Sequence, residues 1–186
     1  SILTTDPVLA ERFVREVVGP GWDSGQELSW AVRDPADRQV LGMIGLRLEG
    51  DGSGEVGFWL AADARGRGLM SSAVRLVVSH AFESGGLALA RVLWYAHVGN
   101  WASRRVAWRA GFRFEGTIRS HLVQRGERRD AWVATLMRAD PREPSRPWFD
   151  VPILRGDRVV LRRWLDSDAE AAAEGCNDPV TRQWLG

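Results

Sequence analysis

The stretch Glu55–His80, EVGFWLAADARGRGLMSSAVRLVVSH, constrains this chain more than any other. An apolar strand over Val56–Ala61 passes through a short polar loop into the basic, glycine-containing knot Arg65-Gly66-Arg67-Gly68. Leu69, Ala73, Leu76, Val77 and Ala81 then recur at spacings of three and four, the period of a helix with one apolar face. Strand, Gly/Arg loop and helix N-terminus in that order make an anion site. The first N–H groups of a helix have no intrahelical partner, and the helix dipole adds partial positive charge there. Glycines let the backbone approach a phosphate closely, and Arg65 and Arg67 add fixed charge. The expected anion is a pyrophosphate. Two familiar phosphate loops do not fit the residues: no Gly-Lys-Ser/Thr follows, and the third glycine position of a dinucleotide fingerprint is Ser71.

Composition narrows the class. A chain of 186 residues, 45% hydrophobic and 26% charged, is expected to fold as one globular domain of ordinary size. A net charge of +1 gives no reason to expect nucleic acid as a partner. No apolar run approaches the roughly 20 residues a membrane span needs, so a cytoplasmic location is expected. The single cysteine, Cys176, excludes an intrachain disulfide and a cysteine-based metal cluster. With only His80, His97 and His121, widely spaced, no metal site is expected.

In chain order, Thr5 or Asp6 and Pro7 open a helix over VLAERFVREVV that Gly19-Pro20-Gly21 is expected to end. Strands are expected near Leu28–Arg33 and Val40–Leu48, joined by a turn over residues 34–37. The Glu55–His80 unit follows the turn Asp51–Gly54, and Ser84-Gly85-Gly86 closes its helix. A strand over Arg91–Ala96 leads through Asn100-Trp101-Ala102-Ser103 into a short helix with Gly111 as its C-cap. Strands follow at Phe112–Leu122 and Arg129–Met137, turning at Gln124–Glu127. The pattern is a mixed α/β layer fold. A proline-rich linker over residues 140–152 is followed by a strand, Ile153–Leu165, and by helix from Ala169 and after Pro179.

Two segments together carry a resemblance to a known family. VGFWLAADARGRG resembles the fourth strand and coenzyme loop of GNAT acetyltransferases of the RimJ/RimL-like branch, and GNWASRRVAWRAGFRFEG resembles that branch's N-x-x-S helix followed by G-F-x-x-E-G. The resemblance covers roughly Leu41–Arg138. It implies an α/β (α+β) GNAT fold, a mixed, mostly antiparallel sheet flanked by helices, with acetyl-CoA wedged between two splayed parallel strands and no metal. The chain departs from the family in order. LRGDRVVLRRW and DSDAEAAAEGCNDPVTRQWLG resemble the opening of the same domain but stand at the C-terminus. Residues 1–139 therefore read as a GNAT core lacking its first strand and helix, and 153–186 as the missing piece. A circular permutant, a tandem fragment and a segment exchanged between copies of a homodimer all account for this. Whichever chain supplies them, Val159 and Leu161 are expected to pair beside the Leu28–Arg33 strand.

The function implied is transfer of an acetyl group from acetyl-CoA to a primary amine, either a protein N-terminal α-amine or a small amine. The resemblance implies that Arg65, Gly66, Arg67, Gly68, Leu69 and Met70 hold the pyrophosphate, and that Phe58, Trp59 and Leu60 pair with the pantetheine arm. Asn100 is either the helix N-cap or a pantetheine contact, and Ser103 is the candidate general acid. Glu55 is the favoured general base and His121 the second. Trp22, Trp30 and Trp59 are candidates to line the acceptor mouth. Met70 stands where the family has Gly or Ala, so crowding of the phosphates is expected and Met70→Gly should tighten CoA binding. A catalytically weak acyl-CoA sensor or scaffold and a nucleotide-phosphate binder are the rival readings.

Overall fold

The computed structural model describes residues 6–35, 39–149 and 152–184. The chain forms two units, residues 1–148 and 149–186.

The first unit opens with α1 (Pro7–Phe13), where Asp6 caps by accepting the N–H of Val8 at 2.9 Å. The alternative cap, Thr5, lies outside the described residues. The helix does not end at Gly19-Pro20-Gly21. It widens into a π segment, Val14–Val18, and resumes as α2 (Gly19–Ser24) before Gly25 turns left-handed at φ 67°. Pro20 has no N–H to continue the α ladder, and the π turns immediately before it absorb that break. The expected turn after Arg33 runs into residues 36–38, outside the described residues.

The strands are β1 (Glu27–Arg33), β2 (Val40–Leu48), β3 (Ser53–Leu60), β4 (Arg91–His97), β5 (Arg113–Gln124) and β6 (Glu127–Met137). They form one sheet in the order β1-β2-β3-β4-β6-β5. Every neighbouring pair is antiparallel except β3 and β4. The parallel pair is joined by α3 (Leu69–Phe82), the crossover that parallel strands require. After β4 comes α4 (Trp101–Arg109); Gly111 follows its C-cap at φ 94°, and a Cβ there would meet the Pro141 carbonyl oxygen at 2.4 Å. Between β5 and β6 the turn is Arg125-Gly126, both left-handed at φ 52° and 82°, as a two-residue hairpin turn demands.

Alternate strand positions share a face. Ile44, Leu46, Val56, Val92, Trp94, Ala134 and Leu136 join Val74, Val78 and Ala81 of α3 and Ala107 of α4 in one buried cluster, so both helices cover the same side of the sheet. The buried stripe of α3 is Met70, Val74, Val77, Val78 and Ala81. Of the expected stripe Val77 and Ala81 are buried, Leu69 and Ala73 are part-buried, and Leu76 is 73% exposed. Trp94 is the largest fully buried side chain. Trp94→Phe should lower stability by about 1–2 kcal/mol, through a lost indole hydrogen bond and a small void; thermal unfolding measures this.

The second unit differs from its sequence reading. The expected single strand Ile153–Leu165 is broken by Gly156-Asp157 into β7 (Leu154–Arg155) and β8 (Val160–Leu161). They pair with each other as a separate two-stranded sheet, with Leu154 opposite Leu161. Within this unit Leu161 takes Leu154 of β7 as its strand partner. The 3₁₀ turn Asp166–Asp168 leads into α5 (Ala169–Asn177), and α6 (Pro179–Arg182) is capped by Asp178, which accepts the Thr181 N–H at 2.9 Å. Arg162 grips the Asp168 carboxylate through both its terminal nitrogens, at 2.5 and 2.7 Å, and holds that carboxyl down to about 2.

Candidate active site

The parallel pairing of β3 and β4 is short. It runs from Ser53 opposite Arg91 to Val56 opposite Trp94 and then stops. β3 continues to Leu60 and β4 to His97 with no ladder between them, so the two strands part at their C-terminal ends. This is where open α/β sheets bind ligands. Phe58, Trp59 and Leu60 all lie on the parting stretch of β3. Trp59 is exposed, whereas Trp22 and Trp30 pack edge to face on each other, ring centres 5.2 Å apart.

Beyond β3 lies the glycine loop. Gly66 and Gly68 both adopt left-handed backbone, φ 77° and 78°, which glycine takes without the steric cost other residues carry. No side chain caps the N-terminus of α3 at Gly68, so its first-turn N–H groups are available to an anion. The two arginines divide their work. Arg65 donates through Nε and Nη2 to the Leu60 carbonyl at 3.2 and 3.1 Å, tying the loop to the end of β3. Arg67 is half exposed and salt-bridged to Asp34 at 3.3 Å. Leu69 opens α3, and the side chain of Met70 is only 4% exposed within the core cluster. The expected crowding is therefore corrected: the Met70 side chain turns away from the loop surface, as does its whole stripe of α3. Met70→Gly should lower stability by about 2–5 kcal/mol, as buried Met truncation does, and should leave CoA affinity no tighter; unfolding and calorimetry read the two effects apart.

Across the parting strands stands the start of α4. The Asn100 side chain accepts the Ser103 N–H at 3.2 Å, so Asn100 is the helix N-cap; its amide nitrogen is not used in that bond. Trp94 Nε1 donates to Ser103 Oγ at 3.1 Å. An indole can only donate. Ser103 therefore accepts in this bond and keeps its own O–H to give to another group. The sequence reading missed Trp94, whose indole lies nine residues before the serine it orients.

The sheet face opposite α3 and α4 carries the third group. Glu27, Arg47 and Glu55 are direct cross-strand neighbours on β1, β2 and β3. Arg47 binds Glu55 at 2.5 Å and Glu49 at 3.2 Å. Burial pushes the Glu55 carboxyl above its ordinary value; Arg47 and His121 oppose this, and the charges of Glu49 and Glu27 reinforce it. Tyr95, on the same face of β4, is also raised, by burial and then by Glu55. His121 reaches this group from β5, its ring centre 4.7 Å from that of Tyr95. A bulge directs it there. The β5–β6 register shifts between Ile118 and Leu122, with Ser120 left-handed at φ 53°. Asp130 accepts the Ser120 N–H at 2.9 Å and Arg128 donates to its carbonyl at 3.0 Å, which pins the bulge. Glu55, Tyr95 and His121 thus form one cluster, which spacing in the sequence does not announce. No group of three or more potential metal ligands occurs among the described residues. No helix among them is long and apolar enough to cross a membrane.

A family model for the acetyltransferase (GNAT) domain matches residues 4–113, more than half of the chain. The chain belongs to the GNAT acetyltransferase family. Among curated proteins it is 35% identical to the "Putative ribosomal N-acetyltransferase YdaF" of Bacillus subtilis (strain 168), over 56% of this chain and 57% of that protein. The chain spans less than two thirds of the length of the curated relatives it matches. Two solved structures agree in fold. RimJ of Mycobacterium smegmatis in complex with CoA-disulfide superposes with a TM-score of 0.63 at 22% identity, covering 70% of this chain and 62% of that one. The ribosomal-protein-S5-alanine acetyltransferase of Vibrio fischeri gives 0.63 at 20% identity, covering 74% and 75%.

Proposed function

We propose that this chain binds acetyl-CoA between β3 and β4 and transfers its acetyl group to a primary amine. The observation that carries the reading is the parting of β3 from β4 after Val56, with three parts set on or next to these two strands. These are a left-handed glycine loop at an uncapped helix N-terminus, a serine hydroxyl held for donation, and a part-buried carboxylate with its affinity for protons raised. The likeness to a RimJ bound to CoA-disulfide supports the cosubstrate.

In this reading the N–H groups from Gly66 to Met70 hold the pyrophosphate, Arg67 adds charge nearby, and Arg65 fixes the loop. The backbone of Phe58–Leu60 lies along the pantetheine arm, and a β3 N–H polarises the thioester carbonyl. Glu55 removes a proton from the acceptor ammonium. The neutral amine attacks the carbonyl carbon, the C–N bond forms and the C–S bond breaks. Ser103 gives its hydroxyl proton to the departing thiolate, and the second proton lost by the attacking nitrogen returns to Ser103, which restores its hydroxyl. A single carboxylate suits an α-amine, with an ordinary pKa of ~7.7–8.0, better than a lysine at ~10.4. We therefore place protein N-termini and small amines of similar basicity first among the acceptors. The name of the Bacillus relative points the same way.

Thiol release from acetyl-CoA, measured over a panel of N-terminal peptides and small amines, tests the proposal. Amine-dependent release is expected; binding without release on any amine would favour the sensor reading. That reading loses one of its supports, because the Met70 side chain lies in the core.

A further inference from the structure

A glycine inside a strand has no side chain to pack and carries an entropic penalty. Its presence has a cause: a bulge, an unusual φ, a neighbour too close for a Cβ, or the close approach of a ligand. Most glycines of the sheet have their cause within the chain. A Cβ on Gly42 would meet the Trp59 carbonyl oxygen at 2.3 Å, and one on Gly54 would meet Leu89 and Leu46 at 3.0 and 3.1 Å. A Cβ on Gly45 would come up against Ser29 Oγ at 3.4 Å. Gly116 stands at φ 155°, where the β5–β6 register shifts. Gly57 has none of these. It lies in an unbroken β2–β3 register, opposite Gly45, and its backbone is outside the left-handed region. A Cβ there would meet nothing within 4 Å.

The neighbours of Gly57 define what it leaves open. β3 pairs with β4 only as far as Val56, so Gly57 is the first residue of β3 to face the gap. Alternation puts Glu55, Gly57 and Trp59 on the sheet face opposite α3 and α4. If the register continued, Gly57 would stand opposite Tyr95, which shares that face. Glu55 is held by Arg47 on one side of Gly57, and Trp59 is exposed on the other. Successive residues on one face of a strand are roughly 7 Å apart. In the proposed reaction the acceptor nitrogen lies within reach of Glu55, and the thioester lies beside Phe58–Leu60. The carbon that bears the nitrogen, with whatever it carries, then passes over Gly57.

We infer that Gly57 sets the size of acceptor the cleft takes. The group on the amine-bearing carbon, which in a peptide is the side chain of its first residue, occupies the space a Cβ at this position would fill. The inference rests on the reading of the cleft as an acetyl-transfer site. Gly57→Ala and Gly57→Val test it, with acetyl-CoA and peptides that begin with Gly, Ala or Val. In Gly57→Val the KM of the Ala-first and Val-first peptides should rise about 10- to 200-fold, the range in which methylene-sized changes act, and that of the Gly-first peptide less than about threefold. Gly57→Ala should give the same order of peptides with smaller changes. Acetyl-CoA affinity should hold, and the unfolding midpoint should not fall, because the added side chain enters open space. An equal loss for all three peptides, an unchanged preference, weaker acetyl-CoA binding or a lowered midpoint overturns the inference. Calorimetric titration of the CoA-loaded protein with the Ala-first peptide separates it from the reaction. A natural chain that binds this peptide but releases no thiol removes the acetyl-transfer reading, while loss of that binding in Gly57→Val still upholds the role of Gly57. A natural chain that neither binds nor acetylates any of the three overturns the inference.

Discussion

Glu55→Gln is expected to lower the rate of acetyl transfer to an α-amine by about 10²–10⁴, the range a positioned general base supplies, while leaving acetyl-CoA affinity unchanged. The substitution is nearly isosteric, and Arg47 keeps Glu49 as a partner, so the fold should survive. The pH dependence gives the sharper signature. A base works deprotonated, so the rate should rise with pH through the Glu55 pKa and fall away below it. Burial raises that pKa above the ordinary glutamate value of ~4.3, so the acid limb should lie above this value and vanish in Glu55→Gln. If His121 is the base instead, the limb survives in Glu55→Gln and disappears in His121→Gln. Stopped assays of thiol release across pH, on the three proteins in parallel, decide between the two residues.

The second large effect is expected at the glycine loop. Gly66→Ala/Gly68→Ala should weaken acetyl-CoA binding about 30- to 1,000-fold. An added Cβ at either position meets nothing within 4 Å, so the effect is backbone strain and not collision. An L-residue held left-handed costs about 1–2 kcal/mol, and two such positions together about 2–4, with about 1.4 kcal/mol for each tenfold. The loop then relaxes into conformations whose N–H groups no longer converge, and apparent affinity falls with the competent fraction. The core lies elsewhere, so the unfolding midpoint should move little. Calorimetric titration with acetyl-CoA reads the affinity. An unchanged affinity would mean that the phosphates do not sit on this loop.

The fold was legible where periodicity and punctuation agree. β3, the glycine loop and α3 could be read because an apolar run, two glycines and a 3.6-residue stripe stand in sequence, and the β5–β6 turn because Arg125-Gly126 suits a tight hairpin. Three features were not. The first helix passes through Gly19-Pro20-Gly21, because a proline in a first turn needs no N–H, so the same residues that end helices can also restart one. The orientation of Met70 follows its helical spacing to Val74, Val77 and Val78, which outweighs its likeness to a loop position. The Glu55–Tyr95–His121 cluster depends on cross-strand register and on a bulge pinned by Asp130. Such long-range pairings leave no local pattern. Nor does the Trp94–Ser103 bond, since buried tryptophans in a chain with ten of them look alike in sequence.

The central claim is a location: acetyl-CoA between β3 and β4, phosphates on the Gly66–Met70 loop, sulfur beside Ser103. A crystal structure of the chain with CoA tests this most directly. The account predicts the pyrophosphate within hydrogen-bond distance of the backbone N–H groups of Gly66–Met70, the pantetheine against Phe58–Leu60, and the sulfur within reach of Ser103 Oγ. CoA bound elsewhere, or with its phosphates on side chains remote from that loop, would contradict it.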